Sequence, residues 1–272
     1  MEKLDGSQDI KLSCRNVWKI YGDNSDSFFI NGSGKIDDPQ GHTNTILKSD
    51  HIVANADVSF DVYAGEIFVI MGLSGSGKST IVRCLSRLVE PTAGDIILDG
   101  ENLLEKTPEE LIEIRRHKMG MVFQSFGLMP HLNVIDNIAF PLKLQGIERA
   151  DRYAQAERVI DLVGLQGRES NFPNELSGGQ QRMVEIGRTL MADPKMMLID
   201  EPTAGLSKML AQEVYAMLTD LRDRDNLTIL IVDQEIRHAL KISDYVYVLE
   251  LGRNKFEGPA DDFKDLEKAF WV

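Results

Sequence analysis

Cysteine is nearly absent from this sequence. Cys14 and Cys84 are the only two, too few for a disulfide framework, and Cys84 lies in a helical pattern that reads as a buried, reduced thiol. No stretch approaches the roughly 18 apolar residues that would cross a bilayer. The first residues, Met1 to Gly6, have neither the basic head nor the apolar core of a signal peptide. These absences predict a protein that stays in the cytosol and reaches a membrane only through a partner. Positive charge is also short, with 30 Lys and Arg against 43 Asp and Glu, a net charge of −13. That balance argues against a nucleic-acid surface, which needs clustered cations, but leaves room for a local phosphate site. Internal repeats and low-complexity tracts are missing as well.

What is present fits one domain. A hydrophobic share of 43% and a charged share of 27% are ordinary for a soluble globular chain. The length of 272 residues suffices for a large domain, or for a domain carrying an inserted subdomain. Residues 11–21 read as a strand and the turn after it. Residues 22–50 are rich in Gly, Asn, Asp and Ser around Phe28-Phe29-Ile30, and read as an exposed insertion with a hairpin as its expected form. From Val53 the pattern is strand-like, and Glu66 to Met71 is a continuous apolar strand suited to a parallel sheet covered on both faces. A helix from Ser79 to about Arg87 follows, with further strands expected at 95–98, 119–123, 195–199, 227–232 and 244–249. Alternating strands and helices predict an α/β fold. Between about 125 and 178 only helical patterns occur, at 134–145 and 148–163, which predicts a helical subdomain between core segments of about 8–124 and 179–272.

Three segments carry chemistry. Gly72-Leu73-Ser74-Gly75-Ser76-Gly77-Lys78-Ser79, followed by Thr80, is a phosphate-binding loop between an apolar strand and a helix. The spacing arises by chance in roughly one chain in a hundred of this length. Its glycines let backbone N–H groups wrap a β-phosphate, Lys78 reaches the β- and γ-phosphates, and the Ser79 hydroxyl is placed to ligate Mg²⁺. Met196 to Glu201 is an apolar strand ending in two acids. A carboxylate at the carboxyl end of a buried strand faces the ligand crevice, so Asp200 is expected in the Mg²⁺ shell and Glu201 as general base toward a water. Ser177 and Gln180 fit a capping box that opens a helix. Glycine costs a helix about 1 kcal/mol, so the pair Gly178-Gly179 in its first turn needs a reason, and close approach to a phosphate supplies one.

In this order, with Leu176-Ser177-Gly178-Gly179-Gln180 between the phosphate loop and Asp200-Glu201, the chain resembles the ABC ATPases from about residue 11 to about 260. The resemblance implies a single ATP-binding domain over 1–272 with a P-loop NTPase core. That core is a mostly parallel sheet flanked by helices, with an antiparallel portion and an inserted α-helical subdomain. It further implies ATP and Mg²⁺ as ligands and a head-to-tail dimer in which Ser177 to Gln180 meet the γ-phosphate on the other protomer. Gln124 matches the glutamine that touches Mg²⁺ and the attacking water, and Tyr21 the aromatic that stacks on adenine. Membrane permease subunits and, indirectly, a solute-binding protein are the implied partners, at the cytoplasmic face of the membrane. Phe126, Leu128 and Met129 fit either core filling or a permease-docking surface.

Two positions depart from the common family pattern. Ser207 stands where the turn after the acids usually has aspartate, and Gln234 where a histidine senses the γ-phosphate, with His238 one helical turn too late. An amide still donates to phosphate but cannot become cationic. Residues 54–166 resemble the ATPases of glycine betaine/proline importers, while Gln234, the Ala204-Gly205-Leu206 turn and the segment after Pro202 resemble those of branched-chain amino-acid importers. The expected function is an ATP-hydrolysing importer subunit, for quaternary amines first and amino acids second. A hydrolysis-poor, nucleotide-gated regulator is the further alternative.

Overall fold

The computed structural model describes residues 9–124, 127–234 and 236–263. The chain opens with β1 (Ile10–Tyr21), and after a short helix α1 (Pro39–Leu47) continues through β2 (Ile52–Tyr63) and β3 (Ile67–Met71). Then come α2 (Lys78–Leu85), β4 (Ala93–Leu98), β5 (Glu101–Asn102), α3 (Pro108–His117) and β6 (Met119–Val122). Two helices follow, α4 (Val134–Leu144) and α5 (Arg149–Leu162), before α6 (Gly178–Leu190) and β7 (Met196–Asp200). The last elements are α7 (Lys208–Asp225), β8 (Thr228–Asp233), α8 (Ile236–Ile242), β9 (Tyr245–Glu250) and β10 (Arg253–Pro259).

The strands form two sheets. One is antiparallel, in the order β2-β1-β4-β5, and the other has the order β10-β9-β3-β8-β7-β6. In the larger sheet β9, β3, β8, β7 and β6 run parallel and β10 closes one edge antiparallel. Every residue of β3, β7 and β8 is buried, as unbroken apolar runs require when both faces are covered. Alternation along β3 divides the packing. Phe68 and Ile70 join a core with Ile81, Val82, Cys84 and Leu85 of α2 and with the antiparallel sheet. Ile67, Val69 and Met71 join a second core with Val214, Leu218 and Leu221 of α7. Both cysteines are buried and free.

A third core is purely helical. Val134, Ile138 and Leu142 of α4 pack on Ala156 and Ile160 of α5 and on Val184 of α6. Helix α6 serves both units, since its Ile186 belongs to the core beneath the parallel sheet.

Residues 22–50 depart from the hairpin expectation. They hold a 3₁₀ turn at Ser25–Phe28 and the helix α1, and no strand. Asp38 caps α1 by accepting from Gly41 N–H at 2.9 Å, and Pro39 starts it. Phe29 and Ile46 are buried against Trp18, whose indole N–H donates to the Gly34 carbonyl at 2.8 Å. The segment therefore folds back onto β1 through these residues, while most of the others stay exposed as expected. Turn-rich composition hid this, because the packing partner lies outside the segment. The two ends meet at His51, whose ring nitrogens lie 2.8 Å from the Ser49 carbonyl and 2.9 Å from the Asp23 carbonyl. Two facing carbonyls favour the doubly protonated ring and raise its pKa.

Glu66 sits at the amino end of β3, nearly buried, and accepts from Tyr63 N–H at 2.6 Å. Burial pushes its pKa from 4.5 to about 7, with Asp244 and Asp61 adding to the rise. The folded value exceeds the unfolded one, so the stability of the protonated form is complete below about 4.5 and is lost as pH rises to about 7. Glu66→Gln keeps an acceptor for Tyr63 and removes the charge. Its thermal stability relative to the parent should rise through that window, reaching on the order of 2 kcal/mol at pH 8. Urea melts at pH 4.5 and pH 8 check this, and an advantage that does not change with pH would refute it.

Candidate functional site

Four neighbouring parallel strands deliver the candidate residues to one edge. β3 runs into the glycine loop, β8 into Gln234, β7 into Glu201 and β6 into Gln124. Their ends are in register: Met71 pairs with Asp233, Asp200 with Val232, and Val122 with Ile199. Ligands of open α/β sheets bind outside such carboxyl ends.

The loop from Gly72 to Gly77 needs its glycines at specific points. Gly77 has φ +97°, and a Cβ there would lie 2.3 Å from the Ala54 carbonyl oxygen. A Cβ on Gly72 would lie 2.2 Å from the Leu249 carbonyl oxygen. The loop is thus pressed against β2 and the end of β9. Asn55 of β2, fully buried, donates to the Gly77 carbonyl at 3.2 Å, and Gly252 N–H donates to the Ser76 carbonyl at 2.9 Å. Leu73, Ser74 and Gly75 are exposed at the crest, and Thr80 is half-buried in the first turn of α2. Lys78 is buried and donates to the Gly72 and Leu73 carbonyls at 2.8 and 2.9 Å. Burial lowers its pKa, and Glu201, Asp200 and Asp233 work against that fall.

Ser79 donates to Asp200 Oδ1 at 2.9 Å. Asp200 is 1% exposed, its pKa is pushed up by burial, and Oδ2 is buried without a partner. A hydroxyl beside an orphaned carboxylate oxygen is a hard-oxygen donor set, and these residues fit a Mg²⁺ completed by phosphate and water oxygens. No group of three or more His, Cys, Asp or Glu able to hold a metal occurs among the described residues.

Glu201 follows at once and adopts the left-handed region with φ +50°, unusual for a residue with a Cβ. Its N–H donates to the Val232 carbonyl at 2.8 Å, which holds the turn. Both carboxylate oxygens accept from amides: Oε2 from Gln124 Nε2 at 2.7 Å, and Oε1 from Gln234 Nε2. Sequence spacing gave no sign of this double clamp. Beneath it lies Asp233, which accepts from the Tyr215 hydroxyl, from Thr203 Oγ1 at 3.4 Å and from Gln234 N–H at 2.7 Å. Glu201, Thr203, Lys208, Asp233, Gln234 and His238 line a cavity of about 320 Å³. His238 stacks on Tyr215 and so faces this cavity, one turn beyond Gln234. Ser207 caps α7, accepting from Leu210 N–H at 3.4 Å.

Ser177 and Gln180 form the reciprocal box at the start of α6, with bonds of 3.0 and 3.3 Å. Ser177 and Gly178 are exposed and Gln180 is half-buried, while Gly179 is buried. A Cβ on Gly179 would lie 2.9 Å from Leu210 Cδ1 of α7. Packing inside the chain thus bears on Gly179 as well, because the half-buried Leu210 side chain would have to shift to admit a methyl. Tyr21 ends β1, paired with Ile52 and partly exposed, with Lys19 Nζ 4.8 Å from its ring centroid. Ser125 and Phe126 lie outside the described residues, and Leu128 and Met129 are half-buried, Leu128 against the helical core. Residues missed from sequence include Asn55, Asp233 and Tyr215, whose partners are far away in the chain.

Gly179→Ala gains about 1 kcal/mol of helix propensity and displaces Leu210, so the overpacking cost should leave a net loss of no more than about 1–2 kcal/mol. Leu210→Ala makes room for the new methyl, so the double variant should lose less than the sum of the two singles in denaturant melts. Strict additivity would show that Leu210 is not what excludes the methyl.

A sequence model of the ABC transporter family matches residues 56–204. The trimethylamine N-oxide transport system ATP-binding protein of Pelagibacter ubique is 42% identical over 241 residues, covering 89% of this chain and 69% of the relative. The glycine betaine transport ATP-binding protein of Bacillus subtilis is 39% identical over 247 residues, covering 89% of this chain and 57% of the relative. A bacterial ABC transporter cassette solved as a dimer superposes with a TM-score of 0.77 at 29% identity, covering 92% of this chain and 98% of that one. With the glycine loop and paired acids at neighbouring strand ends and a glycine pair opening α6, this chain belongs to the ABC transporter family, as an ATP-binding domain that hydrolyses ATP to power transport.

Proposed function

We propose that this chain is the ATP-hydrolysing subunit of an importer for small methylated amines. The observation that carries the hydrolytic reading is the convergence of Lys78, the Ser79–Asp200 pair and the amide-clamped Glu201 at adjoining strand ends. The solute class is supported by relatives whose names include trimethylamine N-oxide and glycine betaine.

In this reading the loop N–H groups from Gly72 to Thr80 cradle the phosphates, and Lys78 exchanges its two carbonyl partners for phosphate oxygens. Ser79, Asp200 and Gln124 would hold Mg²⁺, which would supply charge neutralisation on the transferred phosphoryl group. Glu201 accepts a proton from the water whose oxygen bonds to the γ-phosphorus as the bond to ADP breaks. Its two amide donors orient the carboxylate, and one must give way for that water. Gln234 then donates to phosphate without taking a charge. Tyr21 stacks on adenine. Ser177, Gly178, Gly179 and Gln180 present the start of α6 to the γ-phosphate on a second copy, so ATP binds the two protomers together.

The assembly is peripheral, held at the cytoplasmic face by permease subunits that receive solute from a binding protein. Among the described residues no helix is long and apolar enough to cross a membrane.

Glu201→Gln should lower steady-state ATP hydrolysis by about 10²–10⁴-fold and trap an ATP-dependent dimer, seen by phosphate release and size-exclusion chromatography. Turnover in the parent should rise when permease and solute-loaded binding protein are added in liposomes, with trimethylamine N-oxide or glycine betaine as solute. ATP binding without turnover in either protein, even with permease, would replace the enzyme reading by that of a nucleotide-gated regulator. The amide clamp on Glu201 is the observation that favours that second reading.

A further inference from the structure

The segment leaving β6 is held by α6 through an unusual investment of charge. Arg182 Nη1 donates to the Phe123 carbonyl and to Glu185 Oε2, the latter at 2.6 Å, and Nη2 donates to the Gln124 carbonyl at 2.9 Å. Glu185 Oε1 accepts from Phe123 N–H at 2.9 Å. One turn on, Arg188 Nη1 donates to the Gly127 carbonyl at 2.6 Å. The Arg182 and Glu185 side chains are both fully buried.

Stability is a poor reason for this arrangement. Removing two charges from water costs several kcal/mol for each ion, and apolar residues of similar volume often serve as well or better. What an apolar pair cannot do is grip a short backbone segment by its carbonyls and N–H at once. The planar guanidinium fork meets two successive carbonyls and the Glu185 carboxylate at once through two nitrogens, where an ammonium offers one donor atom. The gripped residues, Phe123 and Gln124, are those from which the Gln124 side chain crosses to Glu201 at 2.7 Å. The gripping residues lie on the helix opened by Ser177 and Gly178.

We propose that Arg182 and Glu185 are positioning residues for hydrolysis, fixing the backbone at Phe123–Gln124 so that the Gln124 amide meets Glu201. This rests on the hydrolytic reading above. Neither residue touches nucleotide; both act through Gln124.

The test is a double-mutant cycle between Arg182→Lys and Gln124→Ala on the full chain. Lysine preserves the charge opposite Glu185 and loses the fork. In the parent background Arg182→Lys should lower kcat by roughly 10–100-fold, the scale on which misplacement of a reacting group acts. In the Gln124→Ala background the same change should cost less than about 3-fold, because there is no amide left to misplace. Equal losses in both backgrounds would overturn the proposal and leave the pair a purely structural role. Glu185→Gln, which keeps an acceptor for Phe123 N–H, gives a second cycle if the lysine variant does not fold, with melts verifying each protein. Absence of turnover in the parent would defeat the hydrolytic reading alone. The same cycles are then read as Mg²⁺-dependent ATP affinity by titration, where non-additivity supports positioning and additivity overturns it.

Discussion

Register in the parallel sheet is the constraint on which everything else depends. The pairing of Met71 with Asp233 and of Asp200 with Val232 brings three strand ends level. A slip of one residue would turn each inward side chain to the opposite face and move Asp200 away from Ser79. The two cores on either side of β3 make such a slip costly, since Phe68 and Ile70 would exchange places with Ile67 and Val69. Burial of the sheet thus sets the precision with which the polar contacts of the site meet.

The legibility of the chain followed the range of its contacts. The glycine loop could be read because its requirements are local: an apolar strand, positive φ at Gly77, and a helix beginning at Lys78. The strand end at Asp200 was visible as an apolar run closed by acids. The packing of Gly179 on Leu210 was not, because the side chain it meets belongs to a helix that comes later in the sequence. The same holds for Arg182, whose carbonyl partners lie 58 and 59 residues away. Residues 22–50 were misjudged as a hairpin because their polar composition conceals Phe29 and Ile46, and what those bury is Trp18.

The departures at Ser207 and Gln234 acquire physical content in this setting. Ser207 opens α7 as an N-cap, a role serine and aspartate share, so the turn keeps its geometry without the charge. Gln234 is anchored through its own N–H to Asp233, which Tyr215 and Thr203 support from below. A neutral amide in that place leaves Glu201 with two uncharged donors.

The neck at His51 bears on how this scaffold can be altered. A Cβ on Gly22 would fall 2.2 Å from the His51 ring, so β1 leaves and β2 returns almost at one point. Everything between is a cassette on a closed stem, and a short reverse turn could in principle replace it without stretching either strand. The obstacle is Trp18, which would lose its lid. Excision or grafting at this neck therefore means re-covering one indole and re-partnering Arg253 and the Gly94 N–H, while the catalytic edge of the sheet keeps its connections.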